Sequence, residues 1–302
     1  MNLKTTIAGV EFKNPIIAAS GTFGFGREYN GFYDVGKLGG ISSKGLTLEP
    51  RQGNIPVRIA ETPSGMLNSV GLQNPGVEHF IEYELPFMKS LGTVVIANAA
   101  GKCEADYVRI VEILSGTDVD MIELNISCPN VKAGGMAFGV EPSGVEQIVR
   151  AVRKVCKKPL IVKLTPNVSC IANNAKAAER AGADAISLIN TVAGMAVDFK
   201  RKKPVLGVGG GGLSGACIKP IALRMVHECY KAVNIPIIGM GGIMSGVDAG
   251  EFMLCGAAAV QVGTANILDP FASLTILNEL TKLCESDNIT DIRTLIGGLR
   301  FE

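Results

Sequence analysis

Cys128 follows directly on an apolar, β-prone run, in the stretch Met121-Ile122-Glu123-Leu124-Asn125-Ile126-Ser127-Cys128-Pro129-Asn130. Residues 121–126 read as a buried strand. Pro129 ends it, because proline cannot donate to a sheet ladder and restrains the residue before it. A thiol on a loop just past a buried strand is placed to act as a general base, and residues 129–139, loosened by Gly134-Gly135, would form a lid over it. The competing reading is that Cys128 packs as a small hydrophobe, as free cysteines commonly do. The chain has only two histidines, His79 and His227, both in helix-patterned stretches. Proton transfer near neutral pH therefore falls to cysteine or lysine.

Two lysines end apolar runs. Lys163 closes Leu160-Ile161-Val162-Lys163, and Lys44 closes Ser42-Ser43-Lys44. A lysine in such a place is costly unless it meets a charge or a π system. Lys163 could form a Schiff base, as aldolases do, or neutralise negative charge on a reduced flavin ring. Lys44 suits a ligand carboxylate. The amide-rich loop Asn68-Ser69-Val70-Gly71-Leu72-Gln73-Asn74 lies between Gly65 and Gly76. With Asn98, Asn125, Asn190 and Thr191 it offers groups that both donate and accept, which suits a ring of alternating N–H and C=O. Gly239-Met240-Gly241-Gly242 and Gly263-Thr264 let backbone N–H groups approach an anion, although tight turns alone would also use glycine.

The elements that must position these groups recur along the chain. After a short hairpin at residues 4–13, apolar runs fall at 16–19, 40–44, 93–97, 121–126, 160–164, 185–189, 237–239 and 259–262. Helical patterns lie at 104–114, 144–156, 171–181, 218–232, 247–255 and 271–284, with helix starts at Pro142 and at Asp269-Pro270. Eight strands alternating with helices predict a (β/α)8 TIM barrel, with insertions after strands two and six at residues 47–75 and 191–217. An open doubly wound sheet is the other candidate. Gly209–Gly212 is a weak dinucleotide fingerprint, because no short strand-to-helix turn surrounds it. Read at their carboxyl ends, the runs give Ser20, Lys44, Asn98, Asn125 with Cys128, Lys163, Asn190-Thr191, Gly241-Gly242 and Gly263-Thr264. Prolines 15, 159 and 236 stand at amino ends instead. Barrel sites form at the carboxyl ends.

Composition narrows the classes further. The 302 residues carry a net charge of +1, which leaves no electrostatic footprint for nucleic acid or an anionic membrane. No signal-peptide core and no apolar run of about 18 residues is present, so a cytoplasmic protein is expected. The eight cysteines include no C-x-x-C pair, and no metal or iron–sulfur spacing is seen. The basic run 200–203 reads as a solvated loop.

Jointly, Ala19-Ser20-Gly21-Thr22-Phe23-Gly24, the 68–74 loop, Asn125-Ile126-Ser127-Cys128-Pro129-Asn130-Val131, Asn190-Thr191, Gly239–Gly242 and Gly263-Thr264 resemble the class 1 dihydroorotate dehydrogenases, and the likeness spans nearly the whole chain. Gln73 and the segment from Cys128 to Gly139 resemble the catalytic subunit of subclass 1B. The resemblance implies one FMN-binding barrel domain over residues 1–302 that oxidises dihydroorotate to orotate. Electrons would pass to NAD+ through a partner subunit bearing FAD and a 2Fe–2S cluster, in an assembly of a homodimer with two such subunits. It implies Cys128 as the base. Lys44, Asn68, Ser69, Val70, Gly71, Leu72, Asn125, Asn190 and Thr191 would hold the substrate. Ser20, Lys44, Gly45, Asn98, Asn125, Lys163, Ile189, Gly215, Gly241, Gly242, Gly263 and Thr264 would hold FMN. The alternatives are a fumarate-using class 1A homodimer, a Schiff-base lyase built on Lys163, and a flavin-binding scaffold without turnover.

Overall fold

A computed structural model describes residues 1–127 and 138–301. Eight parallel strands close into a barrel in chain order: Ile16–Ala18, Gly40–Ser42, Val94–Ala99, Met121–Asn125, Leu160–Lys163, Ala185–Leu188, Ile237–Met240 and Ala257–Val262. The last strand pairs with the first, Val260 opposite Ile16. All eight expected runs are strands of this barrel, and the open-sheet alternative falls with its closure. The prolines at the amino ends lack a donor, yet their carbonyls still serve the ladder: Pro15, Pro159 and Pro236 accept from Val260, Ile122 and Ile186.

Helices Glu104–Ser115, Pro142–Arg153, Ile171–Arg180, Lys219–Tyr230, Gly246–Leu254 and Ala272–Ser286 cover the outside, each burying an apolar stripe against the strands. The sequence pattern gave no helix between strands two and three, yet residues 77–90 wind there as Val77–His79, a π-turn over Phe80–Glu84, and Leu85–Ser90. Pro86 sits near the start of the last piece and cannot donate back along the helix, which blurs the 3.6-residue signal.

The hairpin Thr5–Ile7 with Val10–Phe12 turns at Ala8 and Gly9, both at positive φ, and plugs the amino end of the barrel. At the opposite end the two insertions, expected as separate segments, pair with each other. Strands Val192–Gly194, Gly211–Ser214, Gly65–Asn68 and Ile59–Thr62 form one antiparallel sheet in that order. Its close packing explains the glycine run. A Cβ on Gly211 would fall 2.4 Å from the Asn68 carbonyl oxygen, and one on Gly212 would fall 2.0 Å from Thr191 Oγ1. The run is a packing device of a strand, not a dinucleotide turn.

Candidate active site

A cavity of about 680 Å³ opens at the carboxyl end of the barrel, between the strand ends and the insertion sheet. Its size is that of an ordinary small-molecule pocket. Eighteen of the twenty residues expected at the site line it: Ser20, Lys44, Gly45, Asn68, Ser69, Val70, Gly71, Leu72, Asn125, Lys163, Ile189, Asn190, Thr191, Gly215, Gly241, Gly242, Gly263 and Thr264. Asn98 does not line it. It is fully buried just beneath, where its Oδ1 accepts from Asn125 Nδ2 at 3.4 Å. Cys128 and residues 129–137 of the expected lid lie outside the described residues. The segment's far end is anchored, since Asn174 Nδ2 donates to the Gly139 carbonyl at 2.8 Å.

Lys44 and Lys163 are the charged groups among the described lining residues, and no carboxylate joins them there. Lys44 Nζ donates to the Gly21 carbonyl at 3.3 Å. Burial pushes its ammonium below the usual lysine range. Lys163, only 5% exposed, has its Nζ 3.9 Å from Glu123 Oε2. That separation is a charge contact rather than a hydrogen bond.

The polar groups are held in a chain. Asn190 Nδ2 donates to Ser127 Oγ at 2.5 Å, and Ser127 Oγ donates to Asn125 Oδ1 at 2.7 Å. Tyr107, from the helix behind, donates to the Asn125 carbonyl at 2.9 Å. Asn167 bridges the Thr191 carbonyl and the Ala193 N–H at 3.1 and 2.8 Å. In the 68–74 loop, Gly71 and Leu72 both take positive φ, 77° and 56°. For leucine that conformation is strained, and it kinks the backbone beside the cavity. Gln73 of the same loop turns aside to accept from Arg58 at 2.7 Å.

At the far end of the cavity Gly241 and Gly242 have φ of 116° and 85°, and a Cβ on Gly242 would fall 2.7 Å from the Lys219 backbone nitrogen. Gly215 sits opposite at φ 99°, and Thr264 Oγ1 donates to Ser214 Oγ at 2.8 Å. The helix after strand seven does not lend its first N–H groups. Asp248 accepts from Met244 and Ser245 at 2.8 and 2.9 Å, and a capping box closes the turn. An anion here would rest on the glycine backbones instead.

Sequence reasoning missed the floor. Glu123, with no exposure at all, accepts from Ser187 Oγ and Gln261 Nε2 at 2.8 Å each, from Asn98 Nδ2 at 2.5 Å and from Ser42 Oγ at 3.3 Å. The signal was an acid inside an apolar strand, two residues before Asn125 and so on the same face. Gln261 lines the cavity, and its Oε1 is buried without a partner, as is Ser69 Oγ. Unpartnered buried acceptors and donors beside two cations fit a planar, polar, anionic ligand such as FMN.

Comparison with known proteins agrees with this geometry. Residues 2–284 match the family model described as dihydroorotate dehydrogenase. The chain is 54% identical over 299 residues to a protein of Alkaliphilus metalliredigens, covering 99% of each chain. It is 54% identical over 297 residues to one of Petrotoga mobilis, covering 98% of this chain and 99% of the other. It is 52% identical over 299 residues to one of Bacteroides thetaiotaomicron, covering 99% of each. All three are named dihydroorotate dehydrogenase B (NAD(+)), catalytic subunit. A closed eight-stranded barrel, a lysine-lined cavity at its carboxyl end and full-length likeness to these proteins converge: the chain belongs to the dihydroorotate dehydrogenase family.

Proposed function

We propose that this chain is a catalytic subunit that oxidises dihydroorotate to orotate in pyrimidine biosynthesis, as a single FMN-binding domain of 302 residues working in the cytoplasm. The observation that carries the reading is the cavity: two lysines, no carboxylate among its described lining residues, and a rim of amides. That set suits an anionic flavin and an anionic pyrimidine together. The likeness to catalytic subunits named for NAD(+) favours electrons leaving to NAD+ through a partner subunit; the class 1B resemblance adds that this partner would bear FAD and a 2Fe–2S cluster and that the catalytic chains would pair as a homodimer. It speaks against the fumarate-using, lyase and scaffold readings. Among the described residues no helix is long and apolar enough to cross a membrane.

FMN, when bound, supplies the hydride acceptor. The remaining work falls to the chain. Lys44, Asn68 and Ser69, with the kinked backbone of Val70, Gly71 and Leu72, would hold the substrate carboxylate. Asn125, Asn190 and Thr191, prealigned through Ser127, would hold the pyrimidine amides. Cys128, next in sequence to Ser127, would take the proton from C5 of dihydroorotate, for which its thiolate must be favoured. Lys163 would lie against the flavin ring, with Ser20, Gly45 and Ile189 around it and Asn98 beneath, acting through Asn125. Gly215, Gly241, Gly242, Gly263 and Thr264 would hold the phosphate. A pyrimidine lacking the carboxylate would leave the half-buried Lys44 unpaired, which is how the site would reject it.

The test is an anaerobic visible spectrum of the purified chain before and after dihydroorotate. Flavin absorbance that bleaches is expected, with NAD+ reduction appearing only when an iron–sulfur flavoprotein subunit is added. Flavin that stays oxidised under dihydroorotate would overturn the substrate assignment.

A further inference from the structure

Glu123 has no place in the roles above, yet five barrel strands besides its own send it a neutral donor or a cation. Ser42, Asn98, Ser187 and Gln261 fill both carboxylate oxygens, and Lys163 Nζ stands off at 3.9 Å. Two consequences follow. First, the four hydrogen bonds leave Lys163 to supply charge only, so its N–H groups are not spent on the carboxylate. Second, a carboxylate with no proton can only accept, so Gln261 must turn its Nε2 toward Glu123 and keep Oε1 for something else. That Oε1 is the buried atom without a partner, on a residue that lines the cavity.

We propose that Glu123 is a positioning residue of this site: it is the counter-charge beside Lys163 that leaves the lysine's donors free for a cavity ligand, and it fixes the Gln261 carbonyl as a second group offered to that ligand. A cation and an acceptor on one floor recognise a ring edge with an electron-rich atom beside an N–H, which is the pyrimidine-like edge of a flavin. In this respect the inference rests on the FMN reading. The other charged side chain among the described residues lining the cavity is Lys44, from strand two.

The test is a double-mutant cycle of Glu123→Gln and Lys163→Met, read in two ways. The first reading is thermal unfolding of the apo-protein, which needs no flavin. Each single change strands one buried charge, so both lower Tm, and the double mutant is expected to lose clearly less than the sum. Losses that add would overturn the pairing. The second reading is the FMN dissociation constant of the apo-protein, by flavin fluorescence, in wild type, both single mutants and the double mutant at one pH. Glu123→Gln is expected to weaken FMN binding about tenfold when Lys163 is present and clearly less when Lys163 is already methionine, because the carboxylate acts on the ligand through the lysine. An equal factor in both backgrounds would reduce Glu123 to a packing role and overturn the proposal. Wild-type protein that takes up no FMN would overturn the cofactor reading, and the thermal cycle would still decide the Glu123–Lys163 pair.

Discussion

The two ends of the barrel are made by the same eight strands and have opposite chemistry. At the amino end Ile7 and Phe12 of the hairpin pack on Ile17, Ile96, Met121, Ile161, Ala185, Ile238 and Ala259. Two residues further along the same faces stand Asn98, Glu123, Lys163, Ser187 and Gln261. Side chains alternate faces along a strand, so a step of two moves up the barrel axis without leaving the interior. The interior thus changes from apolar plug to polar floor within one step. The lower end contributes stability and the upper end chemistry, and a substitution's effect should depend on which side of that step it falls.

Phe12→Ala is the hardest test of this division. Phe12 is fully buried in the plug, so its truncation should cost about 3–5 kcal/mol in denaturant unfolding. The folded fraction should keep its flavin affinity. A matching loss of flavin would mean that the ends are coupled. Lys44→Ala should do the reverse. Orotate binding is expected to weaken on the order of 10- to 100-fold for a lost charge-assisted hydrogen bond, and by more than flavin binding does. Calorimetric titration of the loaded protein measures both.

The pH dependence sharpens the same point. Burial lowers the Lys44 pKa, and the ammonium is the form that binds a carboxylate. Orotate affinity should therefore hold at neutral pH and fall as pH rises through a value below that of free lysine, about 10.4. The Lys44→Ala protein should lack that fall. A wild-type profile flat to pH of about 10 would remove Lys44 from the carboxylate role. The smallest effect is expected outside both ends. Phe199 is 90% exposed on the second insertion, and Phe199→Ser should change unfolding free energy by less than about 0.5 kcal/mol.

How much of this was readable in the sequence depended on whether the signal was local. The eight strands announced themselves as apolar runs, and Lys44, Asn125, Lys163 and Asn190, read at their polar carboxyl ends, line one cavity. Glu123, Ser187 and Gln261 were passed over because an apolar run was read as uniformly buried. Their shared parity with Met121, Ala185 and Ala259 was the available clue. The pairing of Gly212 with Asn68 was not legible, since 144 residues separate them and their strands are only four residues long. Asn98 illustrates a subtler limit. It stands next to the last residue of its strand, lies one layer beneath the cavity and acts on it through Asn125.

The closure of the barrel also bears on how the chain is made. Ile16 finds its partner only at Val260, and Thr5 of the hairpin donates to the Ala258 carbonyl at 2.9 Å. During vectorial synthesis, seven strands have left the ribosome before either edge can be sealed. Until the eighth arrives, the nascent sheet keeps two open edges, and the apolar plug lacks the strand that completes it. Unpaired parallel edges are adhesive and slow to resolve. The first strand's outer edge therefore stays open until residues 257–262 have emerged and paired with it.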